Sequence, residues 1–332
     1  MTDLVAAFTP KAPPRGSRLV WAVVTQTSPL RVRVAGETDP LNITPTTLVA
    51  DLDVNDVVRM EISPVGQAVI IGRQGGQAIH PNLLVNGGFR VNQRGATSGA
   101  SVTAGAYFLD RWRAGTTGSF TWSDSGGVRT VTIPSGATLE TELEATDFPA
   151  DTYTLSWPGT SQAALYNSND SEPTLATSPV TVALDGTNDV TAVFGPGTVV
   201  GKVKLERGAV ATPFTPRPLG EELALCQRYY QRFQAGSTTD RFGLGYAFST
   251  TGARVVVPLL TRMRIGAPTL TFNSLRLTDA VNLHTVSDLT LGSGSGSNAH
   301  QVRATSTGLT QFRPYDLLAN STDSYIAFDA EL

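Results

Sequence analysis

KVKLERGAVATPFTPRPLGEELALCQRYYQRF, residues 202–233, reads as a strand, a proline-punctuated turn and then the one convincing helix of an otherwise β-patterned chain. Leu219, Leu223, Cys226, Tyr230 and Phe233 follow one another at alternating steps of four and three. That spacing predicts a helix over 216–235 with a narrow apolar stripe of the a/d kind. Two readings of the stripe stand side by side: a self-associating seam, which makes these five residues an oligomer interface, or a short amphipathic helix lying on its own domain.

Around this stretch the composition is that of many short strands. The chain has 332 residues, enough for two or three domains, with 40% hydrophobic and only 16% charged residues. Its 32 glycines and 20 prolines separate short runs of Val, Thr, Leu and Ile. A formal net charge of -3 and scattered Lys and Arg argue against a nucleic-acid partner, which needs clustered cations. A single cysteine, Cys226, excludes an intrachain disulfide and a cysteine zinc cluster. The three histidines, His80, His284 and His300, share no motif with it, so no metal site, cofactor or cysteine nucleophile is expected. MTDLVAAFTPKAPPRGS at the start carries an early acidic residue and only a short apolar patch, unlike a signal peptide. No run approaches the roughly twenty apolar residues that span a bilayer, so synthesis in a cytoplasm without membrane insertion is expected.

The expected fold class is all-β. Residues 1–73 read as a proline-rich extended arm (Thr9 to Arg15) followed by a small OB-like or SH3-like β-barrel, with RLVWAVVT, RVRV, DVVRMEIS and QAVIIG as strands and Trp21 in its core. Residues 74–81 are a Gly-rich linker, and 82–215 carry about eight alternating strands that suggest a central β-sandwich or jelly roll. The helix of 216–235 follows, and 236–332 reads as a C-terminal β-sandwich knob ending on the strand YIAFDAEL.

VKLERGAVATPFTPRPLGEELALCQRYYQRF resembles a signature of bacteriophage tail fibre and minor tail proteins, in particular those of phages of actinobacteria. In those proteins a strand ending in Leu-Glu-x-Gly, an Ala-Thr-Pro-Phe turn and a Glu-Leu-x-x-Cys-Gln-Arg-Tyr-Tyr helix precede a C-terminal knob. Upstream, NLLVNGGFRVNQRG (82–95) and YFLDRWRAG (107–115) resemble the opening of the carbohydrate-binding-module-like sandwich before it. The resemblance implies a virion protein of the tail tip that works as a homotrimer. It also implies attachment to other tail or baseplate proteins through the N-terminal domain and adhesion to a host surface polysaccharide.

Candidate chemistry is sparse. Glu140, Glu142 and Glu144 alternate and share a face, and they read as a solvated edge strand rather than as a carboxylate pair for glycan cleavage. NSNDSEP (167–173) lacks the order of a calcium loop and reads as a polar loop. Trp112, Trp122 and Trp157 read as core. No catalytic motif is present, so a non-enzyme is expected. The best surface-recognition candidate is QFRPYDLLANSTDS (311–324), whose Phe312, Arg313, Tyr315 and Asn320 mix rings with polar groups suited to sugars. Adsorption to a host glycan is the first functional expectation, a purely structural connector in the tail or capsid the second, and a polysaccharide depolymerase the third.

Overall fold

The computed structural model describes residues 17–49, 52, 54–73 and 81–332. The arm at Thr9 to Arg15 and the connector over 74–80 lie outside the described residues. The chain is all-β, with one α-helix among the described residues, and divides into two compact units at residues 79 and 80.

The first unit is a curled five-stranded sheet in the order Leu30–Val34, Arg18–Thr27, Val57–Ile62, Ala68–Arg73 and Thr46–Thr47. All pairs are antiparallel except the last. Strand alternation places Ala22, Val24, Val32, Val34, Val58, Met60, Ala68 and Ile70 in one core. Trp21, expected inside, has the opposite phase to Ala22 and Val24 and is 43% exposed, with the Arg59 guanidinium 5.7 Å from its ring centre. The period of two decides its side, whatever its hydrophobicity.

The second unit begins with the sandwich. A five-stranded sheet runs in the order Ala163–Asn167, Val190–Phe194, Leu139–Leu143, Trp112–Ala114 and Tyr107–Leu109. Two three-stranded sheets accompany it, one of Thr121–Ser125, Val128–Ile133 and Gly197–Val200, the other of Val180–Leu184, Asp151–Ser156 and Lys204–Arg207. All three sheets feed one core, where Trp112 sits 4.8 Å from Phe89 and 5.8 Å from Phe194 between ring centres, and Trp157 packs edge-on at 5.1 Å on Phe194. Asn82 fastens the start of this region to its end: its amide donates to Val203 O at 2.9 Å, and its Oδ1 accepts from Leu84 N and Leu205 N at 3.0 Å.

After the sandwich the chain forms the helix Leu219–Gln227 and then, after two residues, the strand Tyr230–Gln234. The helix therefore ends well short of 235, and the five-residue stripe does not lie on one helix. Tyr230 and Phe233 pair with Asp329 and Ile326 of the strand Tyr325–Asp329, so ladder bonds to a distant segment override the local helical spacing. On the helix itself Leu219 is 48% exposed, Leu223 is half-buried and Cys226 is buried.

The strand Tyr325–Asp329 lies between Tyr230–Gln234 and Thr269–Asn273. Against this small sheet packs a seven-stranded one in the order Leu283–Thr285, Leu275–Thr278, Pro314–Ala319, Arg241–Ala247, Gly252–Pro258, Ala299–Thr305 and Asp288–Leu291. Phe328, Ile326, Tyr315, Leu317, Val255 and Val302 share their core.

Burial among the elements of the second unit raises the Cys226 thiol above its usual range, first through desolvation and then through the nearby carboxylates of Asp110 and Glu222. Because Cys226 is the only cysteine, a thiol reagent reads its docking directly. Labelling is expected to be negligible in the native protein and to reach one equivalent in denaturant. Rapid native labelling at neutral pH would show that this helix does not dock.

Candidate functional site

Residues from 82–95, 107–115 and 228–233 converge on the joint between sandwich and knob. From NLLVNGGFRVNQRG, Gln93 N and Nε2 each donate to the Asp110 carboxylate at 2.6 Å, and Nε2 also donates to Tyr230 O at 2.9 Å. Arg94 donates to Asp329 at 2.7 Å and to Glu331 at 3.2 Å, with its guanidinium 3.8 Å from the Tyr230 ring centre. From YFLDRWRAG, Arg111 is buried with its guanidinium 3.6 Å from the Tyr229 ring centre and donates to the Glu331 carboxylate and to Glu142 O. The opposite wall comes from QRYYQR: Arg228 donates to Glu144 at 2.8 Å, and the Tyr229 hydroxyl donates to the same carboxylate at 2.6 Å. Burial, foremost, pushes the Tyr229 and Tyr107 hydroxyls up to about 12, so both remain protonated donors.

The same logic accounts for KLERGAVATPF. Lys204 and Glu206 stand two apart on one face of their strand, both buried, 3.2 Å from each other. Thr212 closes the pair, its backbone N–H donating to Glu206 at 2.7 Å while its hydroxyl accepts from Lys204. A buried pair of this kind fixes where the turn sits more than it adds stability.

Glu140 and Glu142 do share a face, and both bind Arg113, at 3.2 and 2.8 Å. Their strand is interior to its sheet, between Val190–Phe194 and Trp112–Ala114, and so is not the edge strand expected. Trp112 and Trp157 are buried as expected, whereas Trp122 is only partly so. Asn167 donates to Asp170 at 2.9 Å within its polar loop. Among the described residues, no group of three His, Cys, Asp or Glu side chains is placed to hold a metal ion.

The four residues of the knob candidate do not form one site. Tyr315 is buried beneath the loop, its hydroxyl accepting from Thr310 N at 3.0 Å and its ring edge-on to His284 at 5.7 Å. Asn320 lies beyond the far end of the strand Pro314–Ala319, roughly 20 Å from Phe312 at the usual strand rise, and bonds Ser274 and Ser324. Phe312 and Arg313 remain. Phe312 is 76% exposed at φ 64, a left-handed backbone that bulky residues seldom adopt. The loop holds it there: Phe312 N donates to Ala247 O at 2.7 Å, Ala247 N to Arg313 O at 3.0 Å, and Gln311 Nε2 to Phe248 O at 3.0 Å. Arg313 pairs with Asp279 at 3.1 Å. The Asn282 N–H, chiefly, with the Val281 N–H and Arg313, holds the Asp279 carboxyl below its usual range.

Tyr246, directly opposite Pro314 in the sheet, adds a second part-exposed ring, and Val281 of the Asp279 turn adds apolar surface. Neither stood out in the sequence, because the pairing that brings Tyr246 beside this loop spans nearly seventy positions. Two rings with a tethered guanidinium can cover the apolar face of a sugar and meet its hydroxyls. No protein-family model matches the sequence, and no curated protein matches it.

Replacing Glu331 with Ala leaves the buried Arg111 without its carboxylate and is expected to cost about 3–5 kcal/mol. Urea unfolding followed by tryptophan fluorescence measures the loss. A change below about 1 kcal/mol would show that the joint does not depend on this pair.

Proposed function

We propose that the chain is a virion structural protein of a phage tail tip, a minor tail protein or tail fibre that adsorbs to a host surface glycan. Phe312 is the observation that carries this reading. An exposed ring kept at a strained backbone by three hydrogen bonds is a feature that packing alone does not require. The resemblance of residues 202–233 and of the two upstream segments to phage tail proteins supports the setting. Within this reading the first unit serves attachment to other tail proteins, and the chain works as a homotrimer. Weak sugar contacts at each tip then add through multivalency.

Phe312→Ala combined with Tyr246→Ala removes both rings from surface positions, so the melting temperature is expected to hold. Binding of the purified protein to host cells is expected to fall by tenfold or more, at about 1 to 3 kcal/mol per sugar-facing ring. Undiminished binding would leave the chain as a connector in the tail or capsid. Light scattering is expected to give a mass three times that of the chain, and a monomer at all accessible concentrations would remove the trimer.

A further inference from the structure

Away from the knob, the sandwich side of the second unit holds a cavity of about 360 Å³, within the range of small-molecule pockets. Much of its wall is bare backbone. Gly126 and Gly127 form the tight turn between Thr121–Ser125 and Val128–Ile133, both at positive φ, and Gly88 and Gly201 meet beside them. A Cβ on Gly201 would lie 2.6 Å from Gly88 O and 2.8 Å from Arg129 O, so only glycine lets these segments close the wall. Phe214, half-buried, supplies a ring, and Pro216 and Leu219 supply further apolar surface.

The charge in this cavity is not balanced. Arg217 and Glu222 satisfy each other at 3.1 Å; Arg217 also donates to Leu84 O at 3.0 Å, and Glu222 accepts from Asn86 N. Arg90 and Lys202 line the same cavity, and neither side chain makes an ion pair or hydrogen bond among the described residues. Two unmatched cations thus face one concave site in a chain whose net charge is -3. A cation is repelled there, and a neutral ligand leaves both charges unused.

We propose that this cavity binds one negatively charged sugar unit, its phosphate or carboxylate held by Arg90 and Lys202 and its ring laid against Phe214. The anion requirement stands on the charges and the cavity alone, while the sugar part rests on the reading of the chain as a glycan adhesin. Glycine walls suit such a ligand because they let its hydroxyls reach backbone groups without side chains intervening. Both cations end in solvent, so the site loads and empties without opening the fold.

Ligand-observed NMR on the full chain, with glucose 6-phosphate, glucuronate, glucose and inorganic phosphate as separate probes, tests the assignment. Both anionic sugars are expected to bind at about millimolar concentrations or better, and glucose and phosphate at least about tenfold more weakly. If only one of the two anionic sugars binds, that identifies the anionic group, phosphate or carboxylate. Arg90→Gln with Lys202→Gln is expected to weaken the anionic sugars by about tenfold or more, and Phe214→Ala to weaken the sugars while leaving phosphate unchanged. No response to either anionic sugar at about 10 mM, or an unchanged response in the double variant, overturns the site. Phosphate binding as tightly as its sugar ester overturns the sugar part. The Phe312→Ala, Tyr246→Ala variant is expected to bind the anionic sugars normally. Lost cell adsorption there alongside a silent cavity sinks only this inference, and normal adsorption alongside a loaded cavity sinks only the knob reading.

Discussion

A guanidinium buried from water must be met by charge, and Arg111 is met by Glu331, 220 positions further along the chain. Much of the second unit is arranged around that necessity. Tyr229 lies under the Arg111 guanidinium and ties the end of the helix to Glu144 of the sandwich, while Arg94 brings Asp329 and Glu331 to the same place. Arg264 then holds the backbone of Ala330 and Glu331 at 2.7 and 2.9 Å, so the carboxylate that answers Arg111 is itself fixed. Sandwich and knob consequently share one polar joint between two apolar cores.

This joint changes the meaning of the motifs. Asn86, Gln93, Arg94, Asp110, Arg111, Tyr229 and Tyr230 are of polar and aromatic types that elsewhere serve ligands. Instead they bond one another: Asn86 alone donates to Val91 O and Asp110 O at 2.9 and 2.8 Å and receives the Trp112 indole N–H at 2.9 Å. Their work is to hold the sandwich and the knob together.

The alternating strands were legible because period-two patterns such as RVRV and VVRMEI need only local sequence to be read. The end of the helix was not. Tyr230 and Phe233 fit helical steps, yet as strand residues they point to opposite sides, and the strand that fixes them begins at Tyr325. The knob loop shows the same limit: nothing local distinguishes the exposed ring of Phe312 from the buried ring of Tyr315, since the turn at Phe312 decides which one the sheet takes in. The cavity was hidden for another reason. Arg90 and Lys202 look like any scattered cations until the fold shows that their neighbours Arg217 and Glu222 are already spent on each other.

The strands Tyr230–Gln234 and Tyr325–Asp329 lie side by side, so the chain enters and leaves the knob at one point. Apart from Arg264, the residues of the joint all lie outside the stretch between those strands. The intervening ninety residues form a closed excursion that the rest of the molecule senses mainly through its two gateposts. Such a layout lets the excursion drift or be exchanged wholesale while the joint keeps its register, so variation inside the loop of chain leaves the base that carries it unchanged.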